Sequence, residues 1–154
     1  MYAPVNEGDK TLHFKHLGAL VTITVTRLQA EVTRLELKSG STSLSGRFDL
    51  TTVSGNQVIS QVSGSGSAVV SLSLSGEGTV SVTLPVPTGA YPISICLGNN
   101  SDHEMLVLNS SGSLSFERAN RYNLKAFDYM SERYALNSGE PLESLTVEND
   151  SSNW

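Results

Sequence analysis

Cysteine is nearly absent: Cys96 stands alone in 154 residues. One thiol cannot close an intrachain disulfide, and it cannot supply the several ligands that a cysteine-based zinc site takes at short spacing. The redox compartment stays open, because a chain of this length buries about two-thirds of its unfolded surface on folding and needs no covalent staple. Charge is sparse too, with 16% charged residues against 38% hydrophobic and a formal net charge of -5. Lysines and arginines nowhere cluster with interleaved aromatics, so the electrostatic footprint for phosphates is missing and nucleic acid is not an expected partner.

No apolar run reaches the roughly 18 to 20 residues of a membrane-spanning helix. Met1-Tyr2-Ala3-Pro4 leads to Glu7 and Asp9 instead of a basic and then apolar signal segment, which fits either a cytosolic protein or a processed piece of an exported one. The helix formers Ala, Glu and Lys are thin, whereas Ser, Thr, Gly and Val are abundant. That balance points to strands in one domain.

The strand pattern is regular. Val21, Ile23 and Val25 alternate with threonines in 17–26, the strongest strand signal in the chain, while Leu12 and Phe14 sit on the opposite parity and imply a bulge or bend near Gly18. Alternation recurs at 32–38, at 44–52, weakly at 58–62, and at 68–74 and 79–84 around the Gly76-Glu77-Gly78 hinge. Pro85 and Pro87 are expected to end that last strand. Further strands are expected at 91–97, 105–108, 114–116 and 122–127, giving about ten at sandwich spacing. Only 127–136 has helical spacing, through Phe127, Met130 and Tyr134, and a loop is equally compatible there.

No residue pattern specifies catalysis. Nucleophile elbow, zinc-protease and phosphate-loop motifs are all missing, and the glycines read as turns. His13 and His16 with Asp9 could suggest a metal, but three residues apart on an extended segment the histidines point to opposite faces, so they read as packing residues. The oxygen-rich run 99–104 lacks the spacing of a calcium loop and reads as a solvated hairpin loop. Glu31, Glu36, Asp49 and Glu77 could pair as glycosidase carboxylates only in three dimensions, and strand-surface acids are ordinarily solvated. Among the aromatics, Tyr2, Tyr91, Tyr122, Tyr129, Tyr134 and Trp154 could include a sugar-stacking platform, although Tyr91 and Tyr122 read as buried rings with wet hydroxyls. No cofactor and no enzymatic activity are expected.

Several of these segments together resemble the fimbrillin (Mfa-like) proteins of gut and oral anaerobes. They are Met1-Tyr2-Ala3, Glu7-Gly8-Asp9-Lys10, and the run from Leu12-His13-Phe14-Lys15-His16-Leu17-Gly18 into the threonine-rich strand. Thr33-Arg34-Leu35-Glu36-Leu37, Leu44-Ser45-Gly46 and Arg118-Ala119-Asn120-Arg121-Tyr122 follow in order. Asn120 stands where the family favours glycine, a mild departure because asparagine also tolerates left-handed turns. The resemblance implies an all-β, transthyretin-like or immunoglobulin-like antiparallel sandwich in a non-enzymatic, outer-membrane-associated cell-surface protein, a fimbrial subunit or adhesin. It implies a sandwich over 1–128, forming the C-terminal part of a longer precursor, and a segment 129–154 that is either the last strand or a donor strand.

Assembly in that family resembles strand donation, in which an extended segment completes a neighbouring subunit's sheet. Leu142, Leu145, Val147 and Trp154 are the donor candidates, and any sheet edge left open is the acceptor. The expected partners are other fimbrial subunits or a second copy, and a host protein or glycan. If the tail packs back as its own final strand, the donor reading of this segment fails. A carbohydrate-binding module of a surface glycan-binding protein is the alternative function.

Overall fold

The structure is a computed structural model that describes residues 3, 8, 16–53, 56–61 and 65–151. In chain order the strands are β1 (Ala19–Leu28), β2 (Arg34–Lys38), β3 (Phe48–Val53), β4 (Asn56–Gln61), β5 (Val69–Ser73), β6 (Gly78–Val86) and β7 (Gly89–Tyr91). Next come β8 (Ser94–Gly98), β9 (Leu106–Asn109), β10 (Leu114–Phe116), β11 (Arg121–Leu124), β12 (Phe127–Asp128), the helix α1 (Tyr129–Ser138) and β13 (Val147–Ser151). The chain is an all-β sandwich. In the first sheet β1 is central, with β6 antiparallel on one flank, β11 and then β12 on the other, and β13 beyond β11. The second sheet runs β5-β2-β8-β9, and β7–β10 and β3–β4 form separate ribbons.

Alternation places this core. Ala19, Val21, Ile23 and Val25 of β1 point inward and are buried with Leu35 and Leu37 of β2, Ile95 and Leu97 of β8, and Leu106 and Leu108 of β9. On the outer face Thr22 bonds Thr83 at 2.9 Å and Thr24 bonds Ser81 at 2.8 Å, so cross-strand hydroxyl pairs line the solvent side.

Two expectations change. The pairings of β1 with β11 and β12 are parallel, not antiparallel, a distinction that a two-residue period cannot register. The expected bend is present at Leu17 and Gly18, ahead of β1, and β1 has a further irregularity between Val25 and Leu28, where Arg27 takes a left-handed φ of 47°. At Gly18 the backbone of β6 also comes close, since a Cβ there would lie 2.3 Å from the Val86 carbonyl oxygen. Second, β6 continues through Pro85, which sits opposite Leu20. The Leu20 N–H donates to the Asn120 carbonyl on the β11 side, so its partner Pro85 turns its nitrogen away from β1 and costs the ladder nothing. The residues 12–15 of the expected preceding strand lie outside the described residues.

The turn before β11 is fixed by aromatic packing. Phe116 stacks between Tyr91 and Tyr122, with ring centroids 5.1 and 5.2 Å away. Both phenols bond backbone a few residues upstream: Tyr91 donates to the Pro87 carbonyl at 2.8 Å, and the Tyr122 oxygen accepts the Glu117 N–H at 2.8 Å. Tyr122→Phe strands that N–H, and a loss of about 1–2 kcal/mol in urea unfolding is expected.

The C-terminal segment belongs to the same body. Asp128 caps α1 by accepting the Ser131 N–H at 3.1 Å, and Gly139, at φ 72°, ends it in a left-handed turn. Phe127 lies before the helix, and the buried helical side chains are Tyr129 and Glu132, while Met130 and Tyr134 face solvent. The expected apolar spacing thus marked the wrong face. Beyond the helix, Glu132 accepts the Glu143 N–H at 3.0 Å. Leu145 is 3% exposed, donates its N–H to the Asn109 carbonyl at 2.9 Å and bridges Ser110. Leu142 and Val147 pack against the core, and β13 pairs antiparallel with β11. The tail is the sandwich's own last strand, which is the condition under which its reading as a donor fails. Trp154 lies outside the described residues.

Candidate functional site

The two lateral sides of the sandwich differ. On one side the tail crosses from β9 to β11 and closes the core, with the Lys125 N–H donating to the Thr146 carbonyl at 2.9 Å. On the other side stand β5 and β6, consecutive in sequence but at the margins of opposite sheets, and among the described residues each pairs with a single neighbour, β2 or β1. Their inward residues Val70, Leu72, Val80 and Val82 are half-buried, where the equivalents in β1, β2, β8 and β9 are fully buried. The core is thinly covered along this side.

The chemistry of that margin follows from register. Thr22 and Thr24 share the parity of Leu20, so their partners Thr83 and Ser81 turn their backbone N–H and C=O outward, while Val80, Val82 and Leu84 bond β1. Neither β5 nor β6 carries a charged residue, and Pro85 lies at one end. Charge, bulge and proline are the usual protections of an unpaired edge, and here the middle of β6 has none of them. An extended segment would meet backbone groups that have no strand partner among the described residues, and two half-buried valines.

The outer face of the second sheet carries a different feature. Glu36 is only 6% exposed, against the expectation of a solvated acid. Its carboxylate accepts from Arg34 Nε at 2.8 Å and Ser71 Oγ at 3.1 Å, and Lys38, 3.5 Å away, also bonds Glu104 at 2.9 Å. Arg34, Glu36 and Lys38 share one strand face because they are two residues apart. Buried Cys96 lies opposite Glu36 in the register, and burial pushes its thiol pKa up despite the lysine beside it. This is an ion network that locks β5, β2 and β8 together.

Burial disfavours the Glu36 carboxylate, but the hydrogen bonds of Arg34 and Ser71 and the charges of Arg34 and Lys38 outweigh it and hold the pKa below its ordinary 4.5. A carboxyl with a depressed folded pKa contributes stability that is present above its unfolded value and lost as pH falls through the folded one. The urea midpoint should therefore drop as pH falls below about 4.5, and Glu36→Gln should flatten that drop while lowering the midpoint at neutral pH. An unchanged acid limb in Glu36→Gln would remove Glu36 from the account.

Of the remaining sequence candidates, Glu31 and Glu77 are exposed and line one cavity beside α1, Asp49 is exposed, His16 is half-buried, and Asp9 and His13 lie outside the described residues. In the 99–104 loop Asn99 Oδ1 accepts the N–H groups of Ser101 and Asp102 at 2.9 and 2.8 Å, and Asp102 Oδ1 accepts that of Glu104 at 3.2 Å, so these oxygens shape the loop itself. Among the described residues no group of His, Cys, Asp and Glu has metal-site geometry. Tyr91, Tyr122 and Tyr129 are buried and form no sugar platform, Tyr134 is 69% exposed, and Tyr2 and Trp154 lie outside the described residues. Among the described residues no helix is long and apolar enough to cross a membrane.

No family model matches the chain, and no curated protein is similar to it at a significant level. A solved structure shares the fold: a "putative cell adhesion protein" from Bacteroides ovatus superposes with a TM-score of 0.51 over 91% of this chain at 12% identity. The chain spans 46% of that structure's length.

Proposed function

We propose that this chain is a non-enzymatic structural or adhesive subunit displayed at a cell surface, and that it assembles by accepting an extended strand from another chain along its open β5/β6 side. The observation that carries the reading is that margin: outward backbone groups at Ser81 and Thr83 over the half-buried Val80 and Val82. Support comes also from the fimbrillin-like segments of the sequence and from the fold shared with a structure described in terms of cell adhesion. The donor is a segment of a second copy or of a related fimbrial subunit. The tail of this chain, seated as β13, supplies the closure of the opposite side. With Tyr91, Tyr122 and Tyr129 buried, the described residues offer no aromatic platform in support of the carbohydrate-module alternative.

Proline at position 83 tests the reading, because the Thr83 nitrogen points away from β1 as that of Pro85 does. Light scattering behind size exclusion should show association that grows with concentration in the wild type and is lost in Thr83→Pro, with the unfolding midpoint changed by less than about 1 kcal/mol equivalent. Oligomers that persist unchanged in Thr83→Pro, or a wild type that stays monomeric across the range, would overturn self-assembly through this edge.

A further inference from the structure

A cavity of about 460 Å³ opens where the turn after β1, the turn before β6 and the face of α1 meet. Its walls are built in place. The turn after β1 is closed by the Val32 N–H on the Gln29 carbonyl at 3.0 Å, and Asn99 Nδ2 holds the Glu31 carbonyl at 3.2 Å. Glu77 is presented between Gly76 and Gly78, both at left-handed φ (106° and 89°), a backbone that side-chain-bearing residues adopt poorly. The helix adds Tyr129, Met130, Arg133 and Asn137.

The charged groups around this cavity are two carboxylates, Glu31 and Glu77, and one guanidinium, Arg133. Neither Glu31 nor Glu77 takes part in a salt bridge among the described residues. Gln29 donates through Nε2 to the Arg27 carbonyl and keeps its amide oxygen as an acceptor. Arg133 donates to the Met105 carbonyl through Nη1, which fixes it at the wall, and retains its other N–H groups. Tyr129 is 1% exposed, and its hydroxyl has no hydrogen-bond partner among the described residues although the charges of Arg133 and Glu31 reach it. A buried polar atom in that state costs about 1–3 kcal/mol, so it marks a place where a partner is missing. Met130, half exposed, gives the cavity an apolar flank.

From this balance we infer that the cavity is a socket for a basic side chain, arginine above all, presented by a protein partner. A guanidinium carries only donors, in a planar fork suited to carboxylates and amide oxygens, and its aliphatic stem fits against Met130. Two carboxylates against one arginine leave the cavity net negative, which disfavours anionic ligands such as sulfated or sialylated sugars. The socket is independent of strand acceptance on β6, and the Thr83→Pro chain keeps it.

The test is a ¹⁵N NMR titration of the full chain with Nα-acetyl-arginine methylamide, its uncharged citrulline analogue, the corresponding lysine compound and methyl glucoside. Saturable shifts at Glu31, Glu77 and Met130 are expected with the arginine probe and, more weakly, with lysine, but not with citrulline or the glucoside. Glu31→Gln or Glu77→Gln should weaken arginine binding about tenfold, the loss of one charge-assisted hydrogen bond, at an unchanged melting temperature. Equal binding of citrulline, binding of the glucoside in place of arginine, or no saturable shift at these residues would overturn the proposal.

Discussion

Truncation after Glu140 should unfold the domain or leave it molten. Leu145 is buried between β9 and the first sheet, and β13 provides the antiparallel partner of β11. Leu145→Ala alone is expected to cost about 2–5 kcal/mol, a large share of the roughly 5–15 kcal/mol that holds a domain together. Deletion adds the lost ladder and uncovers what Leu142 and Val147 shield. Circular dichroism on heating should show a broad or absent transition for the truncated chain and a large fall in melting temperature for Leu145→Ala. A truncated chain that melts cooperatively at the wild-type temperature would restore the tail as a detachable donor.

Gly98→Ala should be nearly as damaging, for a different reason. A Cβ at position 98 would lie 2.3 Å from the Asp102 carbonyl oxygen and 2.5 Å from the His103 carbonyl carbon. Both are backbone atoms of a loop already tied by Asn99 and Asp102, so neither can yield cheaply. The expected loss is about 3 kcal/mol, read as a shift of the urea midpoint. Gly112→Ala, whose Cβ would meet nothing within 4 Å, is the matched control and should be close to neutral. Similar losses in both variants would mean that the strain is general to glycine replacement.

These effects show what alternation along a chain encodes and what it does not. The inward set of β1 could be read directly, because Val21, Ile23 and Val25 face one core and threonines face water. The parallel course of β11 and β12 could not, since both pairing senses share one period. The face of α1 was misread because Phe127 counts toward a helical spacing yet belongs to β12, while the helix begins at the Asp128 cap. Glu36 was placed among solvated acids, although Arg34 and Lys38 two residues to either side were the signal for a buried, paired carboxylate. The open margin had its own trace: a proline within an alternating run, Pro85, is what an edge strand tolerates, and reading it as a terminator hid the edge. The socket beside α1 joins residues from three separate stretches, a convergence that spacing in one sequence does not reveal.

The claim that one side of the sandwich is built to receive a strand is tested most directly by amide hydrogen exchange across β6. In the dilute chain the amides of Val80, Val82 and Leu84, bonded to β1, should be protected, while those of Ser81 and Thr83 exchange as unpaired groups; at concentrations where the chain associates, Ser81 and Thr83 should gain protection. Protection at Ser81 and Thr83 that is already complete on dilution, or that fails to appear in the associated state, would contradict the account.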